Sequence, residues 1–303
     1  MERNEVGYCI TKYYWADERK AQLSEANAAL LGARFEQLLS PLRVVSSNGL
    51  YAISGSIAKT VDLALLSFGF FTKMPLQRDY KIRILYGFED CVPGALGIVN
   101  GINTIDISPN ALMDDSIEIL KARHIEGSKA VRLFMLNVFK TAIHLATYAK
   151  LGELGFKGES PAGYLLGESL ARAMPDLIAH EAQCGLADLY MLSDFPKQAK
   201  RMLRGTSPAG LDSIYSIEAL ETEYRSGRLD PAIDNRLMME GAIECCYSYY
   251  MMKHALDRDF ASLFSAALRL GSMIEENKSF AYTFLKEYRA LSKELKTGIR
   301  LRR

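Results

Sequence analysis

The sequence predicts an α+β fold, predominantly helical, with one small antiparallel sheet at about residues 79–109. Three observations carry this. Lys81-Ile82-Arg83-Ile84-Leu85-Tyr86-Gly87-Phe88 alternates polar and apolar, as a half-buried strand does. Asn100-Gly101, a strong hairpin signal, separates two short apolar runs. Almost everything outside 79–109 has apolar residues at helical spacing, so helices precede and follow a short sheet.

The elements follow in order. Residues 15–41 carry alanine, leucine and glutamate at helical spacing and end near Pro41. Residues 49–72 form a second helical stretch. It is apolar, but Lys59 and Asp62 interrupt it, so it reads as a buried or amphipathic helix and not a membrane span. Ala95 to Val99 and Asn103 to Ser108 are the two strands flanking Asn100-Gly101, and Pro109 closes the second. Helices are then expected over 112–123, 127–152, 161–173, 175–193, 195–203, 215–226, 233–257, 258–276 and 278–297. The expected organisation is a helical region, 1–78, followed by a domain over 79–303.

Composition narrows the function classes. The chain has 303 residues, 49% hydrophobic and 24% charged, enough apolar residue to bury a sizeable core without disulfides. Thirty-seven basic residues face 36 acidic ones, so no bulk charge draws the chain to nucleic acid or membrane. Five cysteines at irregular spacing are not a secreted disulfide framework. The charged N-terminus has no apolar signal core. A reducing, cytoplasmic compartment is the expectation.

The run His180-Glu181-Ala182-Gln183-Cys184 carries the most chemistry. On a helix, about 100° per residue places His180, Glu181, Cys184 and Asp188 within one arc of roughly 100°. Leu177 and Met191 fall within that arc and no lysine or arginine shares it, which suits a lined cleft better than a solvated face. Side chains at i and i+4 lie one turn apart, so their heads converge on one ion. A carboxylate at i+1 stands where it can take a proton from metal-bound water, whose pKa zinc lowers toward neutrality. Downstream, Glu240 and Glu244 also sit one turn apart, with His254 within roughly 40° of Glu240 on the same wheel. The bland alternative is a pair of glutamates reaching nearby arginines.

Taken in order, these motifs resemble zincin-type, gluzincin-like bacterial metallopeptidases. The resemblance covers roughly 79–257: strand Lys81 to Phe88, hairpin Leu96 to Ile107, motif His180 to Cys184, then Glu240 to Glu244. It implies a helical zincin-like core beside the sheet and a bound zinc. His180, Cys184 and Glu240 would be its ligands and Glu181 the general base. Glu244 would orient His180, with His254 and Asp188 as auxiliary groups. It also implies an edge strand holding an extended peptide or protein substrate, for which Asn103 to Ser108 is the expected strand. The chain departs from the family pattern at Cys184, where histidine is usual, and at Ala242, where aspartate is usual. Thiolate donates more charge to zinc than imidazole does, so bound water should be less acidic and catalysis weaker. The alternatives are a catalytically dead zincin fold that binds a peptide or protein partner, and a helical interaction protein.

Overall fold

A computed structural model of the chain describes residues 8–39, 52–86, 92–123, 129–182, 211–229, 236–276 and 278–300. Among them the fold is α+β and predominantly helical, with ten helices and one four-stranded sheet. The chain divides into two compact units. The first holds residues 1–149 and 178–192, the second 150–177 and 193–303.

The first unit is built on strands β1 (Tyr8–Tyr14), β2 (Tyr80–Leu85), β3 (Gly94–Val99) and β4 (Ile102–Ile107). Their order in the sheet is β1-β2-β4-β3. β1 runs antiparallel to β2, and β3 antiparallel to β4, but β2 and β4 are parallel. The sheet is therefore mixed, not antiparallel as the hairpin signal alone implied. The reason lies in the path after β2. The chain goes to the outer edge as β3, turns at Asn100-Gly101, and returns as β4 between β3 and β2. Both turn residues are left-handed, with φ of 52° and 78°. That conformation matches the strand twist of a two-residue hairpin and costs glycine and asparagine least. β1 comes from the N-terminal region and completes the sheet, so position 78/79 falls inside this unit.

One face of the sheet is a continuous apolar layer. Tyr14, Tyr80, Ile82, Ile84, Ile105 and Ile107 share it, and none is more than 5% exposed. Helix α3 (Ser54–Thr72) packs on β1 and β2. Helices α1 (Ala16–Glu25) and α2 (Ala28–Leu39) pack on α3 in turn. The expected single helix over 15–41 is thus two, parted at Ala26-Asn27, where the Asn27 side chain accepts from the Leu30 amide and starts α2. Asp62, the charge that interrupts the apolar run of α3, is gripped by Lys12 of β1 and Arg19 of α1. A partly buried carboxylate between two cations keeps its charge paired and ties three elements together. α4 (Pro109–Arg123) and α5 (Ala130–Glu153) follow, joined by an Asn137 amide that donates to Ser116 Oγ at 2.9 Å.

In the second unit, α6 (Pro161–Ala182, its last turn assigned to the first unit), α7 (Leu211–Arg225), α8 (Arg236–Asp257), α9 (Phe260–Glu275) and α10 (Phe280–Arg300) pack together. The sequence suggests a break at Pro175, yet α6 continues through it. Proline removes one ladder bond and costs about 3 kcal/mol in a helix interior. Leu165, Leu166, Leu170, Met174 and Leu177 are all at most 1% exposed, and their burial outweighs that cost. α7 supplies two helix caps. Glu221 accepts the Ala162 amide at the start of α6, and Glu218 accepts the Ala281 amide at the start of α10. A carboxylate suits the positive end of a helix. No helix among the described residues is long and apolar enough to cross a membrane.

Candidate functional site

The zinc motif falls where the first unit's share of α6 begins. His180 is half-buried and Glu181 is exposed, both in the last helical turn. Cys184 and Asp188 lie outside the described residues. The expected helix over 175–193 is therefore described as far as Ala182. Glu240, Glu244 and His254 lie on α8 in the second unit.

Within that unit, side-chain hydrogen bonds link α6 and α8. The Tyr250 hydroxyl donates to the Leu166 carbonyl, Ser169 Oγ to the Ile243 carbonyl, and Arg172 to Glu240. A fourth bond, from the Tyr247 hydroxyl to Asp176, joins the same two helices. Arg172 is the hub. Its Nε donates to Glu168 Oε1 at 2.7 Å, and its terminal nitrogens donate to both oxygens of Glu240 at 3.3 Å. Burial works against the Arg172 charge, but the Glu168 hydrogen bond and the charges of Glu168 and Glu240 outweigh it and hold its pKa above the ordinary guanidinium value. Glu240 thus has a cation partner of the kind the bland alternative supposed, in Arg172 of α6.

The other expected residues have different neighbours. Ser248 Oγ donates to the Glu244 carbonyl one turn back. His254 is only 4% exposed, with its ring 4.6 Å from that of Phe260. It is packed into the second unit's interior. Among the described residues, no group of three or more His, Cys, Asp and Glu side chains is placed to hold a metal ion. Cys184, one of the three expected ligands, lies outside that set.

α8 is mostly core. Tyr249, Tyr250, Met251 and Met252 are at most 2% exposed, and Cys245 and Cys246 are free thiols fully buried beside them. Burial, then the neighbouring Glu244 charge, pushes the Cys245 thiol up to about 12. A thiol so far from ionising is a packing group and not a nucleophile.

No protein-family model, curated protein or solved structure matches this chain. The zincin resemblance thus rests on motif order alone, and the strongest structural candidate for function lies elsewhere, at the sheet edge.

That edge is β3. The expected peptide-holding strand, Asn103 to Ser108, corresponds to β4, which is bonded to β2 on one side and β3 on the other. Its edges are taken. Among the described residues β3 bonds only β4 and ends the sheet. Leu96 pairs with Ile105, so it lies on the sheet's apolar face. Ile105 and Ile107 are fully buried there, but Leu96 is 38% and Ile98 73% exposed. α5 reaches the start of β3, where a side chain on Gly94 would meet Leu145 and Thr141. Beyond Gly94 the apolar face is open. The six residues Gly94-Ala95-Leu96-Gly97-Ile98-Val99 include no charge and no proline, the groups that usually protect an edge. The sequence offered a signal for this in the uncharged run itself, but only the strand order shows which strand is the edge.

Proposed function

We propose that this chain is a binding protein that takes an extended, uncharged segment of a partner protein as an added strand on β3. One observation carries the reading: an edge strand free of charge and proline, with Leu96 and Ile98 exposed on a face that is otherwise buried. Added-strand recognition draws affinity from main-chain hydrogen bonds and selectivity from alternate side chains. A partner strand would extend the hydrogen-bonded ladder and cover Leu96 and Ile98 with every second residue. The pairing of Glu240 with Arg172 supports a non-catalytic reading, since an engaged carboxylate is a poorer metal ligand.

The test is selection from a displayed library of random linear peptides, with Ile98→Lys as control. Enriched sequences with apolar residues at every second position, binding the parent chain and not Ile98→Lys, are expected. Peptides that bind both equally, or no enrichment, would overturn the reading. A dimer that Ile98→Lys dissociates would make a second copy of the chain the occupant.

The zinc hydrolase is the second reading, and the placement of His180 and Glu181 on one helical turn favours it. Elemental analysis beside a His180→Ala control tests it. Stoichiometric zinc lost in that control, with hydrolysis abolished by Glu181→Gln, is the supporting result. A chain without metal after zinc is supplied removes it.

A further inference from the structure

A cleft of about 1320 Å³ opens in the first unit, walled by β1, α1 and α2 and floored by one face of α3. It lies at the β1 edge of the sheet, the opposite edge from β3, so it is independent of the reading above.

Its side chains fall into two groups. Lys12 and Arg19 are committed, since both hold Asp62. Arg34 of α2 and Lys59 of α3 line the cleft from different helices, are exposed, and make no ion pair with the described residues. Counting Lys12, Arg19, Arg34 and Lys59 against Glu18, Glu25 and Asp62, the lining carries four cations and three carboxylates. The surplus of one positive charge suits an anion of low charge. A polyphosphate would be repelled by Glu18 and Glu25.

The aromatic groups add a second requirement. Tyr13 and Trp15 stack with ring centroids 5.0 Å apart and planes 3° from parallel. The Lys81 ammonium lies 5.9 Å from the Tyr13 ring centroid. Tyr13 is thereby engaged by both Trp15 and Lys81, while Trp15, 43% exposed, lines the cleft with Tyr13 against one of its two faces. An open indole face takes a flat ring by stacking.

We propose that this cleft binds a small organic anion that joins a flat aromatic ring to a phosphate or carboxylate, the ring stacking on Trp15 and the anion meeting Arg34 and Lys59. Nucleoside monophosphates are the probe class with that chemistry.

Trp15 is the single tryptophan of the chain, so its fluorescence reports the cleft directly. The experiment titrates the full chain with adenosine monophosphate, and separately with adenosine and with inorganic phosphate. Saturable quenching by the monophosphate is expected, tighter than with either part. Arg34→Gln and Lys59→Gln should each weaken it by about tenfold, as loss of a charge-assisted hydrogen bond does. Both positions are exposed, so folding should survive, which circular dichroism checks. No saturable response would overturn the proposal. So would an equal response in the double variant, or phosphate alone binding as tightly as the monophosphate.

Discussion

The Tyr247 hydroxyl donates to the Asp176 carboxylate at 2.6 Å, deep in the second unit, where Asp176 is 3% and Tyr247 7% exposed. A carboxyl group so buried is costly unless donors are aimed at it. Tyr247 comes from α8 and Asp176 from α6, so the pair fixes how the two helices meet.

Removing that donor should be costly. Tyr247→Phe keeps the ring and deletes the hydroxyl. Leaving a buried acceptor without its donor costs about 1–3 kcal/mol, so a loss of about 2 kcal/mol is expected. Urea unfolding checks it. A change within about 0.5 kcal/mol, the scale of ordinary surface substitutions, would show that the pair is not a tie.

Acid should weaken the contact between α9 and α10. Glu287 receives Arg269 at 2.7 Å and the Tyr249 hydroxyl at 2.9 Å. Burial pushes its carboxyl up, but the hydrogen bonds from Arg269 and Tyr249 and the Arg269 charge outweigh this and hold it below the ordinary glutamate value. A carboxylate with a depressed folded pKa stabilises the fold above its unfolded pKa, about 4.3, and that stability disappears as pH falls through the lower folded value. Glu287→Gln should therefore lower stability at neutral pH and flatten the acid limb below about pH 4.3. Urea midpoints across pH, parent against variant, measure this. Parallel curves would mean that Glu287 contributes nothing to the acid limb.

Gly94 should not tolerate a side chain. A Cβ there would lie 2.8 Å from Leu145 Cδ1 and 2.9 Å from the Asp106 carbonyl oxygen. The leucine can turn, but the backbone oxygen of β4 cannot move without breaking the ladder. Gly94→Ala should cost about 1–3 kcal/mol, as overpacking does. Gly55, with nothing within 4 Å of the same position, is the control, and its alanine variant should stay within about 0.5 kcal/mol of the parent. Thermal melts of the two variants decide it.

The sequence by itself determined the class of fold, and did so through local signals. Alternation in Lys81 to Tyr86 and the left-handed pair Asn100-Gly101 mark strands and a turn, because side-chain period and backbone sterics act over a few residues. Burial of Tyr249 to Met252 is legible in the same way. Only the tertiary structure decided which strand is the edge, that β1 joins the sheet, and that Glu240 faces Arg172. Those are choices between distant segments. The pattern of Asn103 to Ser108 is that of any half-buried strand, and nothing local distinguishes a strand bonded on both sides from one bonded on a single side. Likewise the helical wheel groups Glu240 with Glu244 on one face but cannot say what that face meets. Arg172, 68 residues away and set in an apolar run, is its partner because the fold brings α6 against α8, and a charge half removed from water is stable only beside its opposite.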